Sequence, residues 1–212
     1  MATSLSTSLR NTLMGALTTA AGSAAYLWIW TGSAPAKSSN NFVVPTGTNL
    51  ALFGPLANPI APGASVGVLT LSAISNATGL ASGTPGYYRI TAGTAFTLTQ
   101  AGIVSTTVTY TGTITGGGAN AFVGALVNFS GFTNAGNNGT FAVTASTGTT
   151  LVVTNASGVN ETHAGTAVMD NASNVQWQGS AGVGSGDFNF ASTIASGGTV
   201  GITSATYSDN NA

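Results

Sequence analysis

The sequence predicts a mainly β protein, in which an N-terminal α-helix packs on a jelly-roll-like β-sandwich and a small β domain is inserted into that host. Three observations predict this. Leu5, Leu9, Leu13 and Leu17 recur at steps of four among Ser, Thr and Asn, which places them along one stripe of a helix. From Asn41 onward no helical period of useful length appears, and short Val, Ile, Thr, Phe and Leu runs alternate with Gly, Asn, Ser and Pro clusters. That alternation is the pattern of a sandwich or barrel. Between about Thr94 and Thr166 the turn residues thicken, with Gly116-Gly117-Gly118, Asn137-Asn138-Gly139 and Ser146-Thr147-Gly148-Thr149, as in a compact β unit of its own.

The helix is predicted over about residues 4–21, with Ser4 or Ser6 as its cap and Gly22 as its stop. The run Ala25 to Thr31, rich in aromatic and β-branched residues and closed by Gly32, reads as a buried strand. A signal peptide is the competing reading, with Arg10, the stretch from Leu13 to Trp30 and Ala34-Pro35-Ala36. Thr12, Thr18, Thr19, Gly22 and Ser23 interrupt that stretch, and it exceeds the usual apolar core of about 7–15 residues, so helix then strand is preferred.

Further strands are expected at Leu50–Phe53, Val66–Ile74, Gly86–Thr91, Ile103–Tyr110, Phe122–Phe129, Thr140–Ala145, Thr150–Thr154, Val175–Gly179, Asp187–Phe190 and Gly198–Tyr207. The stretch with Pro45, Pro55, Pro59 and Pro62 reads as a surface loop or edge, because Pro cannot donate to a central ladder. Its Leu50, Leu52, Phe53 and Ile60 either pack down on the sandwich edge or anchor a neighbouring subunit. The domain plan is therefore 1–93 for the first part of the host, 94–168 for the insert and 169–212 for the closing host strands.

Composition excludes several functions. The 212 residues hold three Lys or Arg, four Asp or Glu, one His and no Cys, where an ordinary domain of this length holds roughly 53 charged residues. Arg10, Lys37 and Arg89 are scattered, whereas nucleic-acid binding needs clustered cations. Thiolate metal or redox chemistry has no ligands, and a single His leaves no nucleophile–base pair, so no enzyme is expected. Disorder is excluded by a mean hydropathy of +0.33. A surface of Ser, Thr, Asn, Gln, Gly and Ala at net charge −1 has little repulsion to keep copies apart, which suits a subunit covered by neighbours.

Four constellations are candidate sites. His163 in Asn160-Glu161-Thr162-His163 reads as a solvated turn, since Asp170, Asp187 and Asp209 are not at ligand spacing. Gly182, Gly184 and Gly186 read as a turn, because no helix pattern and no Gly-Lys pair follows. Trp28 and Trp30 share one strand face with Tyr26 and, like Trp177, read as core or subunit interface before a sugar-stacking platform. Arg89 either holds carbonyls or a carboxylate such as Asp187, or stands exposed on its strand.

Several segments resemble a known family. Leu5-Ser6-Thr7-Ser8-Leu9-Arg10-Asn11, the run Tyr26 to Pro35, Leu69-Thr70-Leu71, Gly83 to Ile90, Gln176 to Ser180, Asp187 to Phe190 and Gly197 to Ser204 are similar to a family of small tailed-bacteriophage structural proteins. In that family the Tyr-Arg-Ile strand and the closing segment lie close together, and here roughly 80 residues separate them, which supports an insertion. The segment Val127 to Phe141, followed by Leu151-Val152-Val153, is similar to a small β module recurring in phage virion proteins. A module inserted at an exposed turn projects outward.

The resemblance implies a virion protein made in the bacterial host cytoplasm, first of all a capsid decoration or cement subunit. Its partners would be the major capsid protein and sister copies in a homo-oligomer, with no nucleic acid, membrane, cofactor or metal. Leu5, Leu9, Leu13, Leu17, Leu50, Leu52, Phe53 and Ile60 are the expected contact residues. A tail, neck or fibre-base position, and a receptor- or glycan-binding module, remain the alternatives.

Overall fold

Serine at the start and glycine at the end delimit the single α-helix among the described residues. The computed structural model describes residues 5–36, 43–93, 95–170 and 174–208. Helix α1 (Thr7–Ala21) is capped by Ser6, whose hydroxyl accepts from the Leu9 amide at 3.3 Å, and stops at Gly22 with φ 67°. Ser4, the other expected cap, and Lys37 and Asp209 lie outside the described residues.

The chain forms two compact units, Met1–Pro35 with Thr46–Gly93 and Asn174–Ala212, and Ala36–Pro45 with Thr94–Ser173. The first, the host, carries α1 and strands β1 (Tyr26–Trp30), β2 (Asn49–Phe53), β3 (Ala64–Ser65), β4 (Val68–Thr70), β5 (Ala77–Thr78) and β6 (Tyr87–Thr91). The chain returns to it with β13 (Val175–Val183), β14 (Phe188–Phe190), β15 (Thr199–Val200) and β16 (Ile202–Ser208). They build an 8-stranded sheet in the order β2-β1-β6-β13-β14-β16-β4-β3 and a separate β15-β5 pair.

The host is thus mainly β, as the sequence predicts, and its strands run on in one continuous hydrogen-bonded order from β2 to β3. The reason lies in β13, which pairs antiparallel with β6 over its first part and parallel with β14 at Ala181, Gly182 and Val183. One core takes side chains from both parts of the sheet, including Leu27, Ile29, Phe53, Tyr88, Ile90, Trp177, Phe188 and Phe190. Gly179 makes room for it, since a Cβ there would collide with the Tyr88 ring.

The second unit is a closed barrel of β7 (Phe96–Val104), β8 (Thr107–Thr113), β9 (Leu126–Ser130), β10 (Gly139–Ser146), β11 (Thr150–Thr154) and β12 (Gly165–Asp170). Every neighbouring pair is antiparallel, in the cyclic order β10-β11-β8-β7-β12-β9. Closure leaves no free edge for another chain to extend. Leu98, Val108, Tyr110, Val127, Phe129, Leu151 and Val153 fill the interior, with the Tyr110 and Phe129 rings stacked at 3.8 Å.

Two expected single strands contain turns. Ile103–Tyr110 spans the turn between β7 and β8, where Ser105 takes φ 57°, and Val66–Ile74 begins in the turn between β3 and β4 at Val66-Gly67, so that only Val68–Thr70 of it is strand. The Val and Thr content that signals a strand continues through both turns, so composition hid them. Strand β12, absent from the expected list, is held by β9 and β7.

Candidate interaction surface

The helix periodicity decides which leucines reach the surface. Successive residues turn by about 100°, so steps of four drift by about 40° each, and four leucines at that spacing cannot all share one environment. Leu9 and Leu13 are 45% exposed, whereas Leu17 packs on the host core. Leu5 precedes the helix and is half-buried. The side of α1 that packs on the sheet is Met14, Leu17 and Ala21, against Ala61, Leu69 and Leu71.

The Pro-rich segment is mostly core. Leu50, Phe53 and Ile60 are 0–2% exposed within the host cluster, which removes them from the expected contact surface. Pairing of β2 with β1, with a register shift at Leu50, turns Leu50 and Phe53 inward, and Ile60, beyond β2, packs into the same core. Leu52 is half-buried on the opposite face of β2 and borders a groove of about 550 Å³ between 52–57 and 73–78. That groove is lined by apolar and uncharged polar residues, among them Leu52, Leu56, Ile74 and Asn76, with no ionisable group.

The tryptophans are buried as well. Trp28, Trp30 and Trp177 are at most 6% exposed. Trp28 stacks on Trp30 at 5.9 Å and Trp30 on Tyr87 at 6.4 Å, and the Trp28 indole N–H donates to Thr91 Oγ1 at 3.0 Å. A sugar-stacking platform needs open ring faces, and these rings have none.

Two of the charged side chains are withdrawn from the surface altogether. Arg89 and Asp170 are fully buried. Asp187 accepts from the Ser180 amide and hydroxyl, at 3.2 and 3.3 Å, and sits on the Tyr88 side of the sheet. Arg89 follows Tyr88 and therefore points to the other face, so the expected Arg89–Asp187 pair is not formed. Arg10 lies along the backbone at Gly67, whose amide donates to Asn11 Oδ1.

Glu161 is the side chain that sequence reasoning undervalued. Its carboxylate accepts from the Thr133 amide at 2.7 Å, the Asn134 amide at 3.2 Å and Asn137 Nδ2 at 2.7 Å. Desolvation raises its pKa, but the hydrogen bonds from Asn137, Asn134 and Thr133 together outweigh this and leave it below the usual value of 4.5. Its backbone bridges Ala101 on β7, and the buried Asn137 also accepts from the Val159 amide and receives Tyr110 Oη at its carbonyl. One barrel end is therefore closed by a polar network. Nothing local in Asn160-Glu161-Thr162 announces this, because the partners lie 24–28 residues away.

His163 is exposed, with Nδ1 against the Ala164 carbonyl at 2.7 Å, and Gly184 and Gly186 form a turn with φ 70° and 90°. Among the described residues no group of three or more His, Asp or Glu could hold a metal, and no helix is long and apolar enough to cross a membrane. The chain matches no family model, no curated protein and no solved structure.

Proposed function

We propose that this protein is a structural subunit of a tailed-phage virion, serving as a capsid decoration or cement protein that binds capsid protein and sister copies. The observation that carries this reading is the fate of its charges. Of the seven Asp, Glu, Lys and Arg residues, the five described ones are buried, laid along the backbone or held by hydrogen bonds within loops. The remaining surface is neutral hydroxyl, amide and apolar, and it includes leucines and valines at high exposure. Such a surface has no electrostatic barrier against protein neighbours and no cationic patch for nucleic acid. A lattice contact of this kind works by burying apolar area and pairing backbone polar groups, which stabilises the shell. Closure of the barrel and the shortness of β3 at the end of the host sheet limit uncontrolled strand addition.

Cryo-electron microscopy of the particle, with the copy number per particle, tests the proposal. Hundreds of copies on the outer shell are expected. Density for this chain confined to the tail or neck, or its absence from purified particles, would overturn the decoration role.

A further inference from the structure

Helix α1 carries two apolar stripes, and the sheet uses only one. Met14, Leu17 and Ala21 face the host core. Leu9, Leu13, Ala16 and Ala20 are exposed and fall together on the outer flank, within an arc of about 60° at 100° per residue. Their spacing of four, three and four is that of a helix–helix seam.

We propose that this flank is the seat of α1 from a second copy, packed antiparallel about a two-fold axis. The positions choose that occupant. Numbers 9 and 20 sum to the same value as 13 and 16, so an antiparallel pair centred between Leu13 and Ala16 sets Leu9 opposite Ala20 and Leu13 opposite Ala16. Each large side chain then meets a small one, at both ends of the seam at once. That is the self-complementarity a two-fold contact requires, and alternation of large and small residues across facing positions is how two helices interdigitate without voids. A parallel pair would set Leu9 on Leu9 and Ala16 on Ala16, with crowding at one end and a gap at the other.

Charge agrees with the same occupant. The helix carries a single ionisable side chain, Arg10, which lies along Gly67 away from the seam. Two copies therefore meet without like-charge repulsion, and the flank offers nothing to an anionic lipid or an acidic peptide. Antiparallel packing also opposes the two helix dipoles.

Area sets the strength. The helix is 15 residues, about 22 Å long, and its two half-exposed leucines and two alanines per copy fall well short of the about 1,200–2,000 Å² of a stable complex. The pair is weak in dilute solution and forms where copies are held side by side, as on a shell surface. The inference thus rests on the assembly-subunit reading and names the partner of that surface.

The chain has no Cys, so single substitutions give unique cross-linking handles. Leu13→Cys, Ala16→Cys, Leu9→Cys, Ala20→Cys and the polar-face control Ser8→Cys are each purified, checked for native far-UV circular dichroism, mixed in pairs at high concentration and oxidised. Leu13→Cys is expected to couple to Ala16→Cys, and Leu9→Cys to Ala20→Cys, at least tenfold faster than either couples to Ser8→Cys. Preferential coupling of Leu13→Cys to itself and of Ala16→Cys to itself overturns the antiparallel pairing. Rates equal to the control for every pair overturn the second copy as occupant. Particles assembled with the Leu13→Cys and Ala16→Cys variants separate this inference from the functional reading. Shell-bound chain that does not cross-link sinks the helix pair alone, whereas chain that cross-links in solution but is absent from the shell sinks the decoration role alone.

Discussion

Phe129→Ala is expected to destabilise the barrel while leaving the host intact. Phe129 is 1% exposed and stacks on Tyr110 at 3.8 Å, with Phe141 at 6.2 Å on the same cluster. Removing a buried phenyl ring costs about 3–5 kcal/mol, through lost transfer energy and the cavity left behind. A β unit of about 80 residues (Thr94–Ser173) has a total stability of about 4–12 kcal/mol, so the substitution removes a large share of it. At about 4–8 °C per kcal/mol for a domain of this size, the barrel midpoint falls by about 12–40 °C.

The distribution of aromatics supplies the assay. All three tryptophans, Trp28, Trp30 and Trp177, lie in the host, so tryptophan fluorescence follows the host and far-UV circular dichroism follows both units. Phe129→Ala should split the melt, with an early dichroism transition and a fluorescence midpoint unchanged from the parent. A fluorescence midpoint that drops together with the dichroism signal would refute the reasoning, because the two units would then unfold as one. An unshifted melt in both signals would refute the packing account itself.

Other substitutions probe the remaining elements. Gly86→Ala puts a Cβ onto the backbone oxygen of Gly32 beside the β1–β6 ladder, so the host loses about 1–3 kcal/mol, seen as a lower fluorescence midpoint. Gly15→Ala does the opposite, since nothing lies within 4 Å of a Cβ there and an alanine in mid-helix gains about 0.5–1 kcal/mol. Tyr110→Phe deletes the donor to the Asn137 carbonyl and lowers barrel stability by about 1–3 kcal/mol, read from the dichroism transition. Glu161 has a depressed pKa, so its contribution is full above the usual value of 4.5 and is lost as pH falls through the lower folded value. The difference in barrel midpoint between the parent and Glu161→Gln should therefore shrink as pH drops below 4.5, and a difference that stays constant would dismiss the role given to the ionised carboxylate.

Much of the local structure was legible because its causes are local. Ser6, Gly22 and the aromatic run of β1 act within a few residues of themselves, and the helix and strand they predict are present. The turns at Ser105-Thr106 and at Val66-Gly67 are hard to read because Val66 and Thr106, which favour strands, share the turn positions and strand formers flank them. The expected contact residues divided for a different reason. Leu50, Phe53 and Ile60 are indistinguishable in sequence from exposed apolar residues of a loop, and only the pairing of β2 on β1 and the packing of Ile60 into the same core hide them. The Arg89–Asp187 pairing failed on the two-residue period of β6, which sends Tyr88 and Arg89 to opposite faces.

By itself the sequence determined a mainly β chain, its helix and its caps, and a composition with seven charged side chains and no cysteine. Those properties follow from composition and from interactions between near neighbours, which a linear text records. Tertiary structure alone decided that six strands close into a barrel, that Glu161 ties its carboxylate to amides more than twenty residues away, and that Leu9 and Leu13 remain outside while Leu17 goes in. Burial depends on which distant strands pair, and on the 3.6-residue turn of a helix laid against them, so it becomes readable only once the chain is folded.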